Sequence, residues 1–125
     1  MTDTSTSPHP SGEFVITAPH RELLDQVLDK WSLSVLNELC DRPCRFNDLR
    51  RAIPAVTQKS LTATLRRLER NGIVARTLIS SRPVAIEYRI TPLGKTLREP
   101  VDVLLTWADA HLPQIERSRR AFDEE

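Results

Sequence analysis

Only three glycines, three histidines and two cysteines occur among the 125 residues of this chain, and each scarcity removes a class of chemistry. Without a run of glycines there is no loop to wrap a nucleotide phosphate in backbone N–H groups. His9, His20 and His111 are scattered, and Cys40 and Cys44 have no histidine near them, so a tetrahedral metal site cannot be completed within one chain. No metal and no cofactor are expected. Neither a nucleophile with its base nor a pair of working carboxylates stands out, and an enzyme is rejected on that ground. No apolar run approaches the roughly 20 residues that a bilayer-crossing helix needs. Met1 to Gly12 carries neither a basic cluster nor an apolar stretch, so secretion and membrane anchoring are not encoded there, and the expected address is the cytoplasm.

What the chain does have is average composition, 39% hydrophobic and 28% charged, with an uneven distribution of charge. Between Arg42 and Arg98 there are 13 Lys and Arg against Asp48, Glu69 and Glu87, a balance of +10, while the remainder carries 5 against 14, a balance of −9. The net +1 conceals a basic middle. Such an excess on one small domain suits a polyanion, because neutralising phosphates releases condensed counterions. A merely solvated basic face is the bland alternative.

Read in order, residues 1–18 are expected to form a mostly disordered tail, residues 19–112 one folded domain, and residues 113–125 a charged C-terminal extension. Leu23, Leu24, Val27 and Leu28, then Trp31, Leu33, Val35, Leu36 and Leu39, recur at helical spacing with an interruption at Asp29 to Trp31, which predicts two helices. Pro43 ends the second. A short helix over Arg45 to Ile53 follows and ends at Pro54. Thr57 is placed as the N-cap of a longer helix whose Leu61, Leu65 and Leu68 form one stripe ending at Asn71-Gly72. Ile73 to Ile79 and Val84 to Ile90 are β-branched runs around Ser80-Ser81-Arg82-Pro83, which predicts a hairpin with a polar tip. Thr91-Pro92 opens a last helix with Leu93, Leu97, Val101, Leu104, Leu105, Ala108 and Leu112 on one face, which Pro100 is expected to kink or divide. The expected fold is mainly α with a small β-hairpin wing.

A short helix, a turn, a longer helix and a hairpin is the order of a winged helix-turn-helix. With Leu61 at the centre of the buried face and about 100° per residue, Lys59, Thr62, Ala63, Arg66 and Arg70 fall on the opposite side. Lys and Arg can donate to guanine O6 and N7, Thr can bond or touch a methyl, and Ala63 can only meet a thymine methyl; Gln58 could pair with adenine. Thr57 and Ser60 sit at the helix N-terminus, where free N–H groups favour a phosphate, although a plain capping role accounts for Thr57. Arg82 at the hairpin tip could enter a minor groove or lie along phosphates. Arg67 points to the flank, so Arg66 is the better base reader.

Leu28-Asp29-Lys30-Trp31-Ser32-Leu33-Ser34-Val35-Leu36 resembles the Lys-Trp signature of HxlR-type regulators. Four further blocks resemble that family in register: Arg45-Phe46-Asn47-Asp48-Leu49-Arg50-Arg51, Gln58 to Leu68, Asn71-Gly72-Ile73-Val74, and Glu87 to Gly94. The similarity spans Pro19 to Leu112. It implies a dimeric bacterial or archaeal transcription regulator whose first and last helices form the dimer interface and whose recognition helices enter successive major grooves. Leu23, Val27, Leu97, Val101, Leu104, Leu105 and Trp107 are the corresponding interface candidates. Redox-sensing members often carry Cys-Pro before the first helix, and here Ala18-Pro19 stands in its place. Many members also have a longer polar side chain at the position of Ala63.

Cys40 and Cys44 remain as redox candidates. Cys40 is expected to be packed, and Cys44, between Arg42 and Arg45 in a polar turn, is expected to have a lowered pKa; structural thiols are the favoured reading. Trp31 and Trp107 are assigned to core or dimer packing, and a small-molecule effector between their helices is left open. The expected partners are double-stranded DNA and a second copy of the chain. The competing reading is a winged-helix module for protein contacts, which would expose apolar residues where Lys59, Arg66 and Arg70 expose charge.

Overall fold

The computed structural model describes residues 15–124, so most of the expected N-terminal tail lies outside the described residues. The first four helices each begin where a side chain takes up orphan backbone donors. Thr17 caps α1 (Ala18–Val27), and Asp29 caps α2 (Lys30–Leu39) by accepting from the Trp31 N–H at 3.0 Å. The carboxylate of Asp48 accepts from the Arg45 N–H at 3.0 Å at the start of α3 (Phe46–Ala52). Thr57 caps α4 (Gln58–Arg70), its hydroxyl accepting from the Ser60 N–H at 3.0 Å. Such caps each stabilise by about 1 kcal/mol. α4 ends in a Schellman arrangement: Gly72 adopts φ 76°, its N–H donates to Glu69 O, and the Ile73 N–H reaches back to Leu68 O.

The hairpin consists of β2 (Val74–Ser81) and β3 (Val84–Ile90), antiparallel from Val74 opposite Ile90 to Ser81 opposite Val84, with an irregularity between Leu78 and Ser80. The expected four-residue loop shrinks to Arg82-Pro83, because Ser80 and Ser81 belong to the ladder. A third strand was not expected. β1 (Cys44–Arg45) pairs with β3, Cys44 opposite Tyr88, which gives the sheet order β1-β3-β2.

The core joins Val35 and Leu39 of α2, Leu49 of α3, Leu61, Leu65 and Leu68 of α4, and Ile73, Val74 and Cys44 from the sheet side. Val27 belongs to this core too, with 2% of its surface exposed. It is therefore not free to meet a partner, which corrects its place among the interface candidates: its direction on α1 points it under α2 and α4 rather than outward.

After the sheet, α5 (Pro92–Lys95) and α6 (Arg98–Asp123) replace the single expected helix. The division falls at residues 96–97, not at Pro100, which lies in the first turn of α6, where a missing N–H costs nothing. Pro113 is the interior proline. α6 continues through residue 113, where the sequence suggested the start of an extension. α5 is held by close backbone approach. A Cβ on Gly94 would lie 2.7 Å from Ile90 Cγ1 and closer still to the Ile73 carbonyl oxygen. Since a backbone oxygen in a strand-bonded segment has nowhere to go, Gly94→Ala is expected to cost about 1–3 kcal/mol. Calorimetry would register this as a lowered melting temperature, and an unchanged one would contradict the close packing.

Candidate nucleic-acid interface

The face that α4 turns outward is set by the face it buries. Leu61, Leu65, Leu68 and Thr64 are inaccessible or nearly so. Opposite them Gln58, Lys59, Thr62, Arg66 and Arg70 are exposed, and Ser60 and Ala63 are half-buried. Gln58, Lys59, Thr62, Ala63 and Arg66 line one shallow depression along the helix. Gln58, Thr62, Arg66 and Arg70 also line a groove between α4 and the sheet, completed by Phe46, Glu69, Arg76 and Tyr88. The structure thus brings together the candidates on α4. Thr57 stands at the head of the helix as its cap. Arg82 sits apart at the exposed hairpin tip, its N–H donating to Ser80 Oγ at 3.3 Å, and lines neither groove.

Arg67 turns away from this surface. Its guanidinium donates to Thr64 Oγ1 at 3.3 Å and lies 3.8 Å from the Asp29 carboxylate, so it ties α4 to the head of α2. The same end of α4 is fastened a second time. Asn71 Nδ2 donates to Gln26 Oε1 at 2.8 Å, and the buried Ser32 hydroxyl donates to the Gln26 carbonyl at 2.6 Å. These contacts hold the C-terminal turn of α4 against α1 and α2, which fixes the direction of its exposed face.

Sequence reasoning missed Arg76, Glu69, Phe46 and Tyr88. Arg76 Nε lies 3.7 Å from Glu69 Oε2, and Arg76 stands opposite Tyr88 across the ladder. Burial pushes the Tyr88 hydroxyl above its ordinary pKa, although nearby Arg76 acts the other way, so the group remains a donor at neutral pH. The available signal was Arg76 itself, a charge at a position of β2 where strand alternation from Val74 calls for an apolar residue.

Exposed apolar side chains also lie on α1 and on α6. Leu23, Leu104, Leu105 and Trp107 are 45%, 52%, 55% and 54% exposed, and no residue of the 26-residue α6 is buried. The Trp107 and His111 rings stack with centroids 5.0 Å apart. Leu97, by contrast, packs against the core. Together with Val101 and Leu105 it faces Leu33, Leu36 and Cys40 across a cleft of about 250 Å³. The interface candidates therefore divide: Leu97 and Val101 look toward their own domain, Leu104 and Trp107 look away.

The profile of the HxlR-like helix-turn-helix family matches residues 26–116. The chain belongs to this family. An HTH-type transcriptional regulator of Escherichia coli, YtfH, is 36% identical over 102 residues, covering 82% of this chain and 81% of its own. YdeP of Bacillus subtilis, with the same description, is 33% identical, covering 84% of each chain. Among solved structures, the transcriptional regulator YtfH of Salmonella typhimurium superposes with a TM-score of 0.71 at 36% identity, covering 82% of this chain and 91% of its own. The redox regulator HypR in its reduced form gives 0.71 at 34% identity, covering 79% and 98%. The fold is the winged helix of these HxlR-like regulators, with α3 and α4 as the helix-turn-helix and β2–β3 as the wing.

The cysteines of this HxlR-family chain behave differently from the sequence expectation in one respect. Cys44 is buried in β1, 2% exposed, and burial pushes its thiol up; the Arg42 guanidinium, 3.4 Å away, only partly offsets this. The expected lowering is thus reversed, because strand pairing takes the residue out of the turn. Cys40 is half-buried at the cleft beside α6. Iodoacetamide under native conditions should therefore label Cys40 before Cys44, which should react fully only in denaturant. Mass spectrometry of peptides would show this, and equal native labelling would contradict the burial of Cys44. No described helix is long and apolar enough to cross a membrane.

Proposed function

We propose that this HxlR-family chain binds a pseudo-palindromic operator as a homodimer and represses transcription by occupying a promoter. The observation that carries the reading is the two-faced α4: leucines wholly withdrawn on one side, and Gln58, Lys59, Thr62, Arg66 and Arg70 presented on the other. A helix of about 10–12 Å diameter with such a face fits the major groove. In this reading Gln58, Lys59, Thr62, Ala63 and Arg66 meet base edges, Ser60 and Arg70 meet phosphates, and Arg82 extends the contact to the neighbouring groove. Thr57 caps the helix. Residues 19–112 contain this machinery, and α6 carries the pairing surface on to Asp123.

Homodimerisation is supported by α6, which exposes Leu104, Trp107, Leu112 and Phe122 and buries nothing. Contiguous apolar side chains left exposed on an otherwise polar helix mark a surface for a partner. The two copies would present their α4 helices about one DNA turn apart. The cytoplasm is the setting such a role requires. The alternative of a protein-contact module draws on Leu78 and Val84, 60% and 70% exposed on the wing, but the charged α4 face favours DNA.

Selection of bound sequences from random duplex DNA by the purified chain, followed by affinity at several salt concentrations, tests this. An enriched inverted repeat with a steep salt slope is the expected result. No enrichment from a folded protein would overturn it and favour the protein-contact reading.

A further inference from the structure

Glu69 is the only acid between Leu49 and Ile86, and it stands inside the groove where Arg66, Arg70 and Arg76 converge. Its partner Arg76 is equally out of place. Strand alternation puts Arg76 on the same face of β2 as the buried Val74, and opposite the half-buried Tyr88. The guanidinium therefore emerges from the core face of the wing, directly beneath α4, and the Glu69 carboxylate meets it at 3.7 Å, with side-chain exposures of 50% for Arg76 and 42% for Glu69. Arg76 is the wing residue that reaches a charged partner on the recognition helix among the ion pairs of the described residues.

We propose that the Glu69–Arg76 pair is a positioning brace between recognition helix and wing, and that Glu69 is a specificity determinant for DNA. This rests on the DNA-binding reading. Glu69 lies on the last turn of α4, eleven residues and about 16 Å along the axis from Gln58. Base edges are met near the helix start, so the neighbour of Glu69 in a complex is the phosphate backbone. The carboxylate repels a phosphate and occupies Arg76, so a random duplex cannot use Arg76 as an extra contact. On an operator the brace holds the wing in register with α4, so that hairpin and helix contacts are made together. A half-exposed pair adds little to folding stability, which leaves its effect to be read in DNA binding.

The test uses the full chain, the operator selected by the wild-type protein, and a random duplex of equal length. Glu69→Gln is expected to tighten random binding, to steepen the slope of log K against log salt by about one, and to lower the operator-to-random ratio about two- to fivefold. Glu69→Gln/Arg76→Gln should abolish the gain on random DNA. The swap Glu69→Arg/Arg76→Glu, which keeps net charge and restores the pair, should recover the ratio. Melting temperatures should stay level across the set. If Glu69→Gln shifts operator and random DNA equally, or if its gain persists without Arg76, the brace is overturned while the proposed function stands. If the wild-type protein selects no operator, the DNA-binding reading falls and this one with it.

Discussion

Replacing Leu104 and Trp107 together by aspartate is expected to yield a monomer that binds the full operator at least about a hundredfold more weakly. The size of the effect follows from linkage. In a dimer the second α4 meets its half-site as an intramolecular event, and the advantage is of order 10²–10⁴ in affinity. Aspartate at an apolar seam imposes desolvation without a partner charge, which a small interface cannot absorb. Both residues are more than half exposed within one chain, so the change leaves the core of that chain intact. Light scattering should report the monomer mass, and binding to a single half-site should be retained. A dimer mass that survives the double change would place the contact elsewhere. Val27→Ala makes the contrasting control: at 2% exposure it should lower the melting temperature through a core void, without acting through the seam.

Arg66→Ala is expected to weaken operator binding by about 1–3 kcal/mol and to relax preference at one base pair. Arg66 is exposed, lines both the depression along α4 and the groove beside the sheet, and lies two turns into the helix. From there a guanidinium can reach the floor of a major groove. Random DNA offers no matching guanine in register, so the loss there should be much smaller. Its neighbour Arg67 is engaged with Thr64 and Asp29, so Arg67→Ala should act on stability and leave base preference unchanged. Arg82→Ala should reduce affinity for both DNAs alike and flatten the salt slope by about one. Equal losses on operator and random DNA for Arg66→Ala would remove its base-reading role.

Much of this was legible because it is local. Thr57 three residues before a donor it caps, Leu61, Leu65 and Leu68 at helical spacing, and Gly72 just past the helix end define α4 within one stretch of chain. The hairpin is local too, since its strands are separated by two residues. The groove-facing set on α4 followed from the same periodicity: once one face is leucine, the other is determined by the angle per residue. The candidates on α1 and α6 were less well separated. A broad apolar face can cover the chain's own body or a partner, and periodicity does not distinguish the two, which is why Val27 and Leu97 were grouped with Leu104 and Trp107.

By itself, then, the sequence determined the helix-turn-helix order with its following hairpin, the Thr57 cap of α4, and the charged face of the recognition helix, because each depends on residues within a few positions of one another. The tertiary structure decided what depends on how separate elements fold onto one another. Cys44 meets Tyr88 across a ladder and so becomes a buried strand thiol. Gln26 reaches Asn71 across 45 residues to fasten α4. Glu69 finds Arg76 only because the Schellman turn at Gly72 folds β2 back beneath the helix that precedes it. No pattern within a single segment carries such pairings, since closing the chain on itself, and not the residue types alone, sets which side chains come within reach.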